Sequence, residues 1–354
     1  MGTAKKKDRF ADSAAKIKPP FEIDPTMLFY SPQENVDAFE HPRIAPYLRW
    51  IAQKWQPPTD GPRLALIIPC TKSKPYPTSR EHRSINRALL RAGWVPDGTG
   101  KPPEALYSTL DSGDDPRLLD SGAMFRNGIA LDRIVISEPL ALVPYTHVYT
   151  WQNGPSPASA YDDPGLFESR GTSVSPWRDD HTATQNASGK WTWGPAEREA
   201  YVQAHNTLVG FIHETLARVS HHYTAIGAWT SPGLTHRSFL INSAQRRAEG
   251  LPMSRRGASG PVTLRGVCDL APGIVDIMPT VGQLEQARSD LAIRLEHEGR
   301  KHSAGTVRAV YARGDGHDTP LGLPELLDHL TAWLDKQSRL DKQSKLDKQS
   351  TSVG

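Results

Sequence analysis

Residues 69–82 read Pro-Cys-Thr-Lys-Ser-Lys-Pro-Tyr-Pro-Thr-Ser-Arg-Glu-His, gathering a thiol, two lysines, a tyrosine, several hydroxyls and a histidine into one short stretch. A thiol attacks carbon as its thiolate, and lysine charge or a helix N-terminus favours that form. Cys70, near Lys72 and Lys74, is therefore a candidate nucleophile; a buried, inert cysteine closing a strand is the alternative these residues leave open. Lys74 suits a phosphate or a substrate carboxylate, or is simply a solvated loop lysine. His82 falls near a helix N-terminus, where a histidine tends to be neutral and can accept a proton. Ser79 has the composition of an N-cap, and Pro75 and Pro77 fix the loop shape. Glu138 follows a second apolar run and can orient an amine or read the edge of a base, with a structural ion pair as the plainer reading.

These groups need elements to hold them. The run 64–68 reads as a buried strand, so the chemical stretch is a strand-to-helix turn, and the carboxyl end of a strand is where open α/β sheets bind ligands. Thr78 and Glu81 have capping-box spacing, announcing a helix over 80–91. A helix over 41–55 stops at Pro57-Pro58, and residues 133–137 are a second buried strand. Residues 145–195 lack periodicity and read as a long irregular segment. A helix over 196–220 and a strand over 223–229 follow. Beyond residue 230 the pattern suggests helices at 236–247, 281–297 and 324–336, a loop at 253–260 and a short strand at 307–311. Alternating strands and helices predict an α/β fold with a mostly parallel sheet flanked by helices.

The 354 residues are 23% charged with a net charge of +3 and a mean hydropathy of -0.52. No apolar run approaches the ~20 residues that cross a bilayer, and no secretory h-region follows the basic start, so no membrane partner and a cytoplasmic location are expected. Two distant cysteines, Cys70 and Cys268, suit a reduced protein. The thirteen histidines lack metal-site spacing, and neither an HExxH pattern nor a P-loop occurs, so no metal and no cofactor are expected. Lys5-Lys6-Lys7, Arg246-Arg247 and Arg255-Arg256 are basic clusters, either solvated or phosphate-contacting. Arg246, Arg247, Arg255 and Arg256 are the candidate nucleic-acid contacts, and Trp177, Trp191 and Trp193 are candidate stacking groups.

Together Pro69, Cys70, Thr71, Lys74, Pro75, Tyr76, Ser79 and His82 resemble the signature of the archaeosine synthase core domain. Residues 136–140 (Ile-Ser-Glu-Pro-Leu) with Val143-Pro144 resemble its second block, and Tyr161-Asp162 with Pro164 its third. The resemblance spans roughly residues 40–230. The family usually has serine where Thr71 stands and glycine where Ala141 stands, and its transglycosylase-like and tRNA-binding modules are not recognisable here.

The resemblance implies a three-layer fold similar to uracil-DNA glycosylase and an enzyme acting on a 7-deazaguanine (preQ0-type) base in nucleic acid, tRNA or DNA. It implies a thiolate attack on the nitrile of that base, and free lysine as the amine co-substrate. Cys70, Lys74, His82 and Glu138 are then the catalytic candidates, and Thr71, Tyr76, Ser79, Tyr161 and Asp162 the substrate-binding ones. A non-catalytic nucleic-acid-binding module of the same fold and a base-excising glycosylase are the alternatives. The expected organisation is a flexible basic arm (1–25), the α/β core (26–230), an extension packed on it (231–333) and a low-complexity Leu-Asp-Lys-Gln-Ser repeat tail (334–354).

Overall fold

Strand β1 (Arg63–Pro69) is buried along its whole length and lies inside a seven-stranded sheet. The computed structural model describes residues 8–166, 171–316 and 319–351, with the backbone alone for 341–351. The other strands of this sheet are β2 (Val95–Pro96), β3 (Met124–Arg126), β4 (Ile129–Ser137), β5 (Ala141–Pro144), β6 (Ala225–Trp229) and β7 (Asp276–Met278). Their order is β7-β6-β1-β4-β3-β2, with β5 on the second half of β4. The four strands β7, β6, β1 and β4 run parallel, and the remainder pair antiparallel. Strands covered on both faces read as unbroken apolar runs, which is why β1 and the end of β4 were legible.

The helices are α1 (Arg9–Ala14), α2 (Pro32–Asp37), α3 (Ala45–Gln53), α4 (Arg80–Arg91), α5 (Pro195–Val219), α6 (Thr235–Leu240), α7 (Ser243–Ala248), α8 (Val267–Leu270), α9 (Val281–His297), α10 (Ala304–Ala312) and α11 (Pro324–Thr351). Helices α3 and α5 pack on each other and on β5, while α11 packs on α4 and α9. Trp333 of α11 sits directly over Gly227 of β6, where an added Cβ would lie 2.6 Å from its ring. Among the described residues no helix is long and apolar enough to cross a membrane.

Several expectations are corrected. Residues 8–25 are not a flexible arm: α1 is capped by Asp8, and the Lys18 amide and the Lys16 carbonyl both bond the backbone of Lys74 (2.7 and 3.0 Å). Lys5-Lys6-Lys7 lies outside the described residues. The cap of α4 is Ser79, whose hydroxyl accepts the His82 amide, and Thr78 belongs to the preceding turn. The helix expected at 236–247 is two, because Asn242 caps a new start at α7. Residues 253–260 contribute to a hairpin, Ser254–Gly257 with Gly260–Thr263, and 307–311 lies in α10. The tail continues α11, anchored by buried Leu326, Leu330 and Leu334 at helical spacing. The boundary at 230 divides nothing, because β7 completes the same sheet.

Candidate active site

Three adjacent parallel strands end on chemical groups. Cys70 follows β1, Glu138 follows β4, and the turn after β6 leads into α6, which carries His236. The Cys70 amide donates to the Ile136 carbonyl at 2.9 Å, extending the β1–β4 pairing past the strand. Cys70 Sγ lies 3.2 Å from His236 Nε2 and 3.8 Å from Glu138 Oε2, and that oxygen is 2.9 Å from the same Nε2. All three side chains are buried. Burial alone would lower the His236 pKa, but the Glu138 charge and Cys70 raise it well above the ordinary value. The charged imidazole thus lies directly against the Cys70 sulfur.

Cys70 and Glu138 line a narrow cleft together with Thr71, Lys74, Tyr161 and Asp163, with a volume of about 10 Å³. Lys74 places its ammonium 4.4 Å from the centroid of the Tyr161 ring. That ring is fixed in turn: the hydroxyls of Tyr76, Ser137 and Tyr161 bond one another at 3.0, 2.9 and 2.5 Å. Tyr161 is therefore a fixed wall of the cleft, and Tyr76 stands behind it as its support. The Thr71 hydroxyl donates to the Ser73 carbonyl at 3.1 Å, shaping the turn. Asp162 is held by Lys16 at 2.7 Å, so the N-terminal segment clasps the third motif block.

Asp163 is the most polar surprise in the cleft. Its Oδ1 accepts from Asn35 Nδ2 (2.9 Å) and the Leu166 amide (3.2 Å), while buried Oδ2 has no hydrogen-bond partner among the described residues. Burial first, and the Glu138 charge second, raise its carboxyl to about 8, so it carries a proton at neutral pH.

Cys70, Lys74 and Glu138 thus converge, and His82 does not. Its Nε2 donates to the Pro69 carbonyl at 2.8 Å, which leaves Nδ1 to accept from the Tyr145 hydroxyl at 3.1 Å. Burial lowers its pKa to about 4, so it is neutral, but its ring nitrogens are taken up in tying α4 to the end of β1 and to Tyr145 beyond β5. The histidine beside Cys70 is instead His236. Sequence reasoning missed His236 and Asp163; the signal for His236 was a histidine just beyond the end of a buried parallel strand.

The arginine quartet is also corrected. Arg246 is fully buried and donates to the Ser238 hydroxyl and carbonyl, both at 2.6 Å, because α7 folds back on α6. His205 Nε2 meets the same hydroxyl at 2.8 Å. Arg246 is therefore a brace for the helix that presents His236. Arg255 lies 5.8 Å from the Tyr201 ring centroid, and Arg247 and Arg256 are exposed. Of the three tryptophans, Trp193 is buried and bonds the Ser173 carbonyl at 2.8 Å, and Trp177 is 65% exposed.

The ligating atoms of Cys70, Glu138 and His236 all lie within 4.8 Å of one another. Thiolate, carboxylate and imidazole are the donor types of zinc sites, so these three residues could hold a metal ion that no local sequence spacing announces. No protein-family profile, characterised protein or solved structure matches the chain.

Proposed function

We propose that this chain is a base-modifying enzyme resembling the archaeosine synthase core, joining an amine to the nitrile of a 7-deazaguanine base in tRNA or DNA. The observation that carries the reading is the buried Cys70–His236–Glu138 cluster, with sulfur 3.2 Å from the imidazole. Two further observations support it. The hydroxyl network of Tyr76, Ser137 and Tyr161 draws one residue from each of the three resembling blocks. Ala141, standing where the family has glycine, has φ of 60°, the region that favours glycine. A sheet arrangement similar to uracil-DNA glycosylase is part of this proposal.

In the first step the Cys70 thiolate forms an S–C bond to the nitrile carbon. One C–N π pair moves to nitrogen, which takes the proton from Asp163 Oδ2. The products are a thioimidate and an Asp163 carboxylate near the Lys74 charge. In the second step the amine, free lysine in this reading, adds to the same carbon. Its surplus proton returns to Asp163, the C–S bond breaks, and sulfur leaves as the thiolate stabilised by His236. The amidine is the product, and both catalytic groups are restored. The closed cleft requires the Lys16–Asp162 clasp to open before a base enters.

Nucleoside mass spectrometry of tRNA and DNA from cells expressing wild-type or Cys70→Ser protein tests this. An amidine-bearing nucleoside present with wild type and absent with the variant is expected; equal amounts in both would end the nucleophile assignment. The compact donor set favours a second reading, in which Cys70, Glu138 and His236 hold a zinc ion that supplies a Lewis acid. Stoichiometric zinc in purified protein, lost in His236→Ala, would select it.

A further inference from the structure

The carboxyl edge of the sheet does not end at Cys70. Beyond it, over the ends of β6 and β7, lies a cavity of about 980 Å³. Ser231, Pro232 and Leu234 of the turn that leads to His236 line it on one side, and α9 and α10 line it on the other. Its far wall, Thr319-Pro320, is tied to the chemical turn: the Thr319 hydroxyl donates to Glu81 in the first turn of α4, and Arg80 donates to the Gly316 carbonyl at 3.4 Å.

The cavity has two chemistries. Leu284, Ala292 and Val307 give it an apolar floor, and Tyr311 lines it as well. Exposed Arg288, His302 and Arg308 stand along it, and no carboxylate lines it among the described residues. Arg288 lies 4.8 Å from the Tyr311 ring centroid, a cation over a flat apolar surface. A ring on such a floor with arginines at its margin fits a nucleotide: base or sugar inside, phosphate against guanidinium. The volume falls in the ~300–1,000 Å³ range of ligand pockets.

We propose that this cavity binds a nucleotide flanking the base held at Cys70, so that a single strand runs along the carboxyl edge from β4 to β7. The proposal rests on the polynucleotide reading above, and gives residues 281–312 a substrate-positioning role.

The test is binding of a fluorescein-labelled ten-nucleotide single strand to the full chain over a salt series. Arg288→Ala/Arg308→Ala is expected to weaken binding at least tenfold and to flatten the salt dependence by about 1.4 in log–log slope, for two phosphate contacts on a single strand. Ala292→Trp, which fills the floor and keeps both charges, is expected to weaken binding with the slope unchanged. Wild-type affinity in either variant overturns the proposal, the second because the strand then never enters the cavity. A wild-type chain that binds no decamer at any salt overturns the polynucleotide reading as well, so the two failures are distinct.

Discussion

At the scale of the residue, the site depends on two buried groups in opposite charge states, His236 charged and Asp163 neutral. His236 is held charged by Glu138 and Cys70 despite being buried. His236→Gln, which removes that charge from beside the sulfur, should slow Cys70 alkylation by iodoacetamide at least tenfold. Cys268, whose thiol burial raises to about 11, serves as the unreactive control. Asp163 is the opposite case. Its native carboxyl keeps a proton that the unfolded chain loses above pH ~4, so its contribution to stability falls as pH rises from about 4 to about 8. Asp163→Asn cannot lose that proton. The melting-temperature difference, variant minus wild type, should grow from pH 4.5 to pH 8; a flat difference would show that Asp163 ionises normally.

At the scale of the element, positioning is indirect. Short α6 is fixed by Ser238, which meets both His205 and Arg246. Arg246→Met leaves the Ser238 carbonyl and hydroxyl short of a donor, and should cost about 3 kcal/mol in urea unfolding and lower kcat more than it raises KM. The N-terminal segment holds the cleft residue Asp162 through Lys16, so Lys16→Ala should speed Cys70 alkylation several-fold and lower stability, because it leaves buried Asp162 without its ion-pair partner. Gly227→Ala pushes a methyl into the Trp333 ring and should cost about 1–3 kcal/mol. Cys70 and Glu138 were legible because each follows an apolar run at the end of a buried strand. His236 was not, because α6 is six residues long and lies 166 positions from Cys70, so no local periodicity links them. His82 and Arg246 were misassigned for one reason: residue type was read without knowing which face of its helix met the core.

At the scale of the whole molecule, the C-terminal third is part of the α/β domain rather than an addition to it. It supplies β7, His236 and the cavity over α9 and α10. The sequence reading found the parallel sheet but cut it at residue 230, since the three-residue β7 is too short to register as a strand pattern. A chain ending at residue 230 should show no cooperative thermal transition, where the full chain shows one.

The central claim is that Cys70 forms a covalent bond to the substrate, and intact-protein and peptide mass spectrometry test it most directly. Wild-type protein incubated without amine, with an oligonucleotide bearing the preQ0 nitrile base, should gain the mass of that base-bearing strand on the peptide containing Cys70. The added mass should disappear when lysine is supplied, and Cys70→Ser should show none. An adduct that persists in Cys70→Ser, or amidine product formed by that variant at the wild-type rate, would contradict the account.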